Sequence, residues 1–231
     1  MKNIKDIVVA EKRILVRCDF NVPLDGDGNI LDDFRIRETL PTIKYLIENK
    51  AKIILMSHLG EPDGKVVNVL KLDKVQEKLS ELLGFTIKKA EDCVGLKVTE
   101  MVDDLKSGEV LLLENLRFHK EETENNPEFS KELSKIADIY INEAFSVSHR
   151  AHASIVGVPQ YLPGFPGFLL EKEIFILKKI LENPEKPMIA IIGGKKVETK
   201  TKVINKISKS ADFVIISGLI KKEAIENNIE F

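Results

Sequence analysis

Ile14-Leu15-Val16-Arg17-Cys18-Asp19-Phe20-Asn21 is the stretch on which the fold of this chain turns: a short apolar run of strand character that ends in a polar, charged cluster. The chain writes this pattern three more times. Ile53-Ile54-Leu55-Met56 leads into Ser57-His58-Leu59-Gly60, and Val110-Leu111-Leu112-Leu113 leads into Glu114-Asn115-Leu116-Arg117. Ile139-Tyr140-Ile141 leads into Asn142 and on to His149-Arg150-Ala151-His152. Short apolar runs separated by helical patterns imply a parallel sheet, and in such a sheet ligands bind outside the carboxyl ends of the strands. Arg35 and donors of the Arg117 and Arg150 type therefore converge on one crevice, suited to a small, highly anionic molecule.

The intervals between these runs read as helices. Ile36, Leu40, Ile43, Leu46 and Ile47 recur at three- and four-residue spacing over about 35–49, with Pro41 expected to kink this stretch or start a second helix. Leu72, Val75, Leu79, Leu82 and Leu83 are in phase over 72–83, and Gly84 stands at the C-cap position. Further helices are expected near 95–105 and 127–137, the latter opening on Pro127, which suits a first turn. A Pro/Gly-rich stretch, 157–167, then interrupts the alternation and is the strongest boundary signal in the chain. The reading is α/β: a doubly wound parallel-sheet domain over 1–163, an interdomain helix over 164–182, and the first part of a second, Rossmann-like nucleotide domain over 183–231. Strand 188–192, helix 198–209, strand 213–216 and a final helical beginning are too few to close a doubly wound domain, so the second domain is expected to be only begun, with apolar surface uncovered.

Composition narrows the function. The 231 residues are 43% hydrophobic and 31% charged, with a net charge of -2, which argues against a general nucleic-acid binder. No stretch approaches the ~20 apolar residues of a membrane span, and the N-terminus has no signal-like core, so a cytoplasmic location is expected. Cys18 and Cys93 lack metal-type spacing and read as buried small hydrophobes in a reducing compartment. There is no Ser/His/Asp triad, no identifiable metal-ligand cluster and no G-x-G-x-x-G in the first strand–turn region, which counts against a dinucleotide-dependent oxidoreductase. A second anion signal is Gly193-Gly194-Lys195-Lys196, a turn between a strand and a helix start where backbone N–H groups and the helix dipole favour a phosphate. It lacks the spacing of a Walker loop. Lys196 and Lys200, four apart, would share a helix face.

Taken in order, Asp19-Phe20-Asn21-Val22-Pro23-Leu24, Leu40-Pro41-Thr42-Ile43, Ser57-His58-Leu59-Gly60, Glu114-Asn115-Leu116-Arg117-Phe118 and His149-Arg150-Ala151-His152-Ala153-Ser154 resemble the phosphoglycerate kinase family. The resemblance implies a two-lobed kinase that holds 3-phosphoglycerate on the N-terminal lobe and Mg-nucleotide on the C-terminal lobe. It exchanges a phosphoryl group between 1,3-bisphosphoglycerate and ADP, giving 3-phosphoglycerate and ATP. By matching positions, Asp19, Phe20, Asn21, Arg35, His58, Leu59, Gly60, Glu61, Arg117 and Arg150 would line the phosphoglycerate site. Arg35 and Lys196 would be catalytic, and Gly193, Gly194, Lys195 and Lys200 would serve the nucleotide. Mg2+ would arrive with ATP or ADP, with no membrane or nucleic-acid partner, and family members are expected to be monomers. Phosphoryl transfer suits such a site, since it needs positioning and charge stabilisation more than a covalent nucleophile.

The chain departs from the family pattern in places. Glu61 stands where Arg is usual; a carboxylate ~6 Å from a substrate phosphate costs roughly 3 kcal/mol at an effective dielectric of ~20. Ser146 stands where Gly is usual, Lys195 where a small residue is usual, and Ile216-Ser217-Gly218 replaces a glycine-richer run. Family members are longer, and the later Gly-rich phosphate loop and metal-holding Asp have no counterpart here. A non-catalytic phosphoglycerate-binding module, or half of a split enzyme, is the alternative reading.

Overall fold

A computed structural model describes residues 3–194 and 198–226. The chain divides into two compact units, Met1–Lys172 and Glu173–Phe231.

In the first unit, β1 (Arg13–Arg17), β2 (Lys52–Met56), β3 (Lys88–Lys89), β4 (Val110–Leu112), β5 (Ile139–Asn142) and β6 (Gly164–Pro166) form one sheet in the order β3-β4-β2-β1-β5-β6. Every pairing in it is parallel. The crossovers carry α1 (Phe34–Glu48), α2 (Asp73–Leu83), α3 (Leu96–Asp103), α4 (Lys120–Thr123) and α5 (Pro127–Lys135), and α6 (Phe168–Glu182) follows β6.

Strand side chains alternate between two cores, because successive residues of a strand point to opposite faces. Ile14, Val16, Ile53, Leu55, Val110 and Leu112 pack with Ile43 and Leu46 of α1 and with Val75 and Leu79 of α2. Leu15, Ile54, Met56, Leu111 and Leu113 pack with Val98 and Val102 of α3 and with Phe129 and Leu133 of α5. The sheet is therefore doubly wound, and each aliphatic side chain so buried contributes about 2 kcal/mol. Double-sided burial is why these strands read as continuous apolar runs.

Local signals behave as their chemistry directs. Gly84 adopts the left-handed conformation, φ 81°, and its N–H donates to the Ser80 carbonyl at 3.0 Å. Asn126 caps α5, its side chain accepting from the Glu128 and Phe129 amides, with Pro127 in the first turn. Pro41 neither ends α1 nor starts a second helix: the helix is assigned without a break from Phe34 to Glu48. The buried face of Ile36, Thr39, Thr42, Ile43 and Leu46 outweighs the one amide that proline lacks.

The edge strands β3 and β6 were not expected. Gly164–Pro166 pairs with Tyr140–Asn142, so the first sheet continues past residue 163, and the division into units falls within α6.

In the second unit, β7 (Ile189–Ile192) and β8 (Phe213–Ile216) pair in parallel, with α7 (Glu198–Ile207) and α8 (Leu219–Glu226). Ile192 and Ile216 pack on buried Ile204 and Ile220. On the other face Ile189, Ile191, Phe213 and Ile215 are exposed. Among the described residues no helix is long and apolar enough to cross a membrane.

Candidate anion-binding site

The loops that leave the carboxyl ends of β1, β2, β4 and β5 carry the charged side chains, and a fully buried polar layer supports them. Its centre is Arg17, the last residue of β1. Arg17 Nε donates to Ser154 Oγ at 2.7 Å, Nη2 lies 3.2 Å from His58 Nδ1, and Nη1 donates to the Cys18 carbonyl. Glu122, also fully buried, accepts from the Ser154 amide at 2.9 Å and the Ser154 hydroxyl at 2.6 Å, and lies 3.9 Å from Arg17.

This layer settles the state of His58. Arg17 can only donate, so Nδ1 of His58 accepts and the ring proton sits on Nε2. Burial, followed by the charges of Arg17 and Arg117, the ionisable His152 and then Arg35, holds the imidazole far below its ordinary range. His58 is therefore neutral at physiological pH, and at 1% exposure it belongs to the buried layer itself. His152 is pushed down mainly by burial, against the pull of Glu122, and its Nδ1 is buried without a hydrogen-bond partner among the described residues.

Above this layer lie the expected site residues. Asp19 accepts from the Asn21 amide at 3.0 Å, and its other oxygen accepts from both Arg35 Nη1 and the Ser146 hydroxyl. Arg35, in the first turn of α1, leaves 46% of its side chain exposed and so remains available to a ligand. Asn21 accepts from the Gly60 amide at 2.9 Å, which ties the β1 loop to the β2 loop. Gly60 has φ +66°, a conformation that favours glycine, and a Cβ there would also have to displace the Leu70 methyl carbons, one of which would stand 2.8 Å away. Arg117 is only 2% exposed; its Nη1 donates to the Gly60 carbonyl at 2.8 Å and meets Glu61 at 2.7 Å. Burial draws Arg117 below its ordinary value, Glu61 opposes this, and Arg150 and Arg17 reinforce it. Arg150 is exposed, and its charge is felt at Arg117 and at His152.

Phe20 and Leu59 take a different part. Both side chains lie in the core, and their amides are held by Ser57 Oγ at 2.8 Å and by Asn115 Oδ1 at 3.2 Å. They position the loops from beneath. Asn115 uses its whole amide for this: it also accepts from the Arg117 amide and donates to the Leu59 and Leu70 carbonyls. Glu114 likewise braces the start of α2, accepting from the Leu72 amide at 2.9 Å while pairing with Lys89 at 2.7 Å.

In the second unit Gly193 and Gly194 directly follow β7, as expected, and Gly194 has φ +147°. A Cβ on Gly194 would lie 3.6 Å from Lys200 Cε, so this lysine of α7 runs beside the glycine turn. Lys195 and Lys196 lie outside the described residues.

Arg17, Glu122 and Ser154 did not stand out as site residues in the sequence; the one available signal was an arginine placed inside an apolar strand. Asp92, Cys93 and His119 also come together, with donor atoms within 4.8 Å of one another, a grouping the sequence spacing did not reveal. His119 pairs with Asp92 at 2.5 Å, which raises the histidine and lowers the aspartate, and the Cys93 thiol donates to the Glu114 carbonyl at 3.0 Å. Cys18 and Cys93 are both buried and free.

The first unit is thus a doubly wound α/β domain that gathers arginines, a neutral histidine and backbone-anchored loops along one sheet edge. The comparisons with known proteins make the assignment specific. The phosphoglycerate kinase family profile matches residues 4–227, and the chain belongs to that family. It is 53% identical over 215 residues to phosphoglycerate kinase of Moorella thermoacetica and 52% identical over 216 residues to that of Dictyoglomus turgidum. These alignments cover 93% and 94% of this chain but 54% of each relative, so the chain spans about half the length of the curated relatives it matches. The crystal structure of phosphoglycerate kinase from Pyrococcus horikoshii superposes on all of this chain and 58% of that one, with a TM-score of 0.88 at 36% identity. The Coxiella burnetii phosphoglycerate kinase structure gives 0.84 at 34% identity, also over 58% of its length.

Proposed function

We propose that the first unit is the phosphoglycerate-binding part of a glycolytic, cytoplasmic kinase. The complete protein would transfer a phosphoryl group reversibly between 1,3-bisphosphoglycerate and ADP, giving 3-phosphoglycerate and ATP. The observation that carries this reading is the gathering of Arg35, His58, Arg117 and Arg150 at the carboxyl ends of four parallel strands, in a chain of this family. Arg35, whose guanidinium pairs with Asp19 through Nη1 while about half of the side chain stays exposed, would meet charge that develops on the transferring group. His58 contributes its Nε2 hydrogen, and Arg117 and Arg150 bind substrate oxyanions. Lys196, Lys200 and the Gly193-Gly194 turn serve the phosphates of ADP or ATP, whose magnesium complex is the co-substrate.

Calorimetric titration of 3-phosphoglycerate into this chain tests the reading. Saturable binding that Arg35→Ala weakens about tenfold or more is expected, since a charge-assisted hydrogen bond contributes roughly 1.5–3 kcal/mol. Absence of binding by the folded chain would overturn it.

A further inference from the structure

We propose that Glu61 is the resting counter-ion of Arg117, an internal carboxylate that holds the anion-binding face of this guanidinium and is exchanged for an oxyanion of the substrate. The proposal rests on the phosphoglycerate reading and adds to it a residue that sets affinity.

The two partners differ sharply in freedom. Arg117 is fixed: its side chain is 2% exposed, its amide donates to Asn115 Oδ1 at 3.1 Å, and its Nη1 donates to the Gly60 carbonyl at 2.8 Å. Its Nε is buried without a hydrogen-bond partner among the described residues. Glu61 is 63% exposed and meets the guanidinium at 2.7 Å from the solvent side. The other carboxylate felt at Arg117, Glu122, is occupied by Ser154 and Arg17. Glu61 is thus the carboxylate in direct contact with Arg117, and the one that can leave.

How it leaves follows from its neighbours. Gly60 is tied through both of its peptide groups, its amide donating to Asn21 Oδ1 at 2.9 Å and its carbonyl accepting from Arg117 Nη1 at 2.8 Å, and Pro62 restricts the backbone of the residue before it. Opening is therefore a rotation of the Glu61 side chain into water. No backbone movement is needed, and Arg117 keeps its bond to Gly60 throughout. A buried cation beside Arg17 and Arg150 is unfavourable without an anion, so Glu61 neutralises the empty site and competes with the ligand for it.

The test is calorimetry of 3-phosphoglycerate with the unaltered chain, Glu61→Gln and Asp63→Asn. Asp63→Asn removes an equal charge two residues away, at a positive-φ position that Asn tolerates. Glu61→Gln is expected to bind about fivefold tighter, equivalent to about 1 kcal/mol for an ion pair with one exposed partner. Its affinity should also fall more steeply with added salt, because no internal pair is lost to offset the one gained. Asp63→Asn should change neither by as much as twofold. Equal tightening by both variants, or none by Glu61→Gln, overturns the exchange. If 3-phosphoglycerate binds none of the three proteins, the substrate reading fails by itself. Inorganic phosphate then decides: tighter binding by Glu61→Gln upholds the counter-ion role, and equal affinity or none in both overturns it.

Discussion

Glu143, one residue beyond β5, offers the sharpest quantitative test of how the first unit is held together. Its Oε2 accepts from the Leu169 amide at 2.9 Å and the Leu170 amide at 3.0 Å, which fastens the first turn of α6 to the sheet edge. Its Oε1 is buried without a partner among the described residues. The chain packs so closely there that a Cβ at Gly167 would stand 2.2 Å from the Glu143 carboxyl carbon. Burial outweighs these hydrogen bonds and raises the carboxyl from 4.5 to about 7. The unfolded chain releases this proton near 4.5, whereas the folded chain keeps it until about 7. The group's contribution is therefore full below pH 4.5, declines as pH rises through that interval, and is lost above it. The rise corresponds to about 3 kcal/mol. Glu143→Gln keeps an oxygen for the two amides and removes the ionisation, so its stability relative to the unaltered chain should climb by about 3 kcal/mol between pH 4.5 and 8. Urea unfolding followed by tyrosine fluorescence isolates this event: the chain has no Trp, and Tyr45, Tyr140 and Tyr161 all lie in the first unit. A difference between the two proteins that stays constant across that pH range would refute the reasoning.

Two further expectations concern the buried layer. Arg17→Met should destabilise the first unit by about 3 kcal/mol or more, because it leaves Glu122 buried without its cation, and adding Glu122→Gln should restore part of the loss; the same urea assay measures both. His58 should show no titration between pH 5 and 8 in the NMR shifts of its ring protons, since burial and four neighbouring cationic or ionisable side chains disfavour its charged form. A midpoint inside that range would mean that the Arg17 contact to Nδ1 is not maintained in solution.

The local elements were readable because each is decided by neighbours in sequence. The runs at 14–16, 53–56 and 110–113 are apolar throughout since both sheet faces are covered, and Gly84 and Pro127 mark helix ends for reasons internal to the backbone. The edge strands β3 and β6 were not readable. Lys88 and Lys89 have no strand-like side-chain pattern, and they extend only because Leu111 and Leu112 offer a free ladder edge. Gly164–Pro166 sits in a stretch whose prolines and glycines signal a turn, yet it pairs with Tyr140–Asn142.

The same division runs through the site. From the sequence alone come the family, the parallel order of elements, and the arginines and the histidine that end the strands, because a strand's direction dictates which edge its following loop occupies. Tertiary structure alone decides what those side chains are bound to. Arg17 lies 137 residues from Ser154 and 41 from His58, and Arg117 closes on Glu61 across two different loops. Whether an arginine is a free ligand-binding charge, a buried strut or a paired cation depends on burial and on partners distant along the chain, and a spacing of residues along a chain does not carry that information.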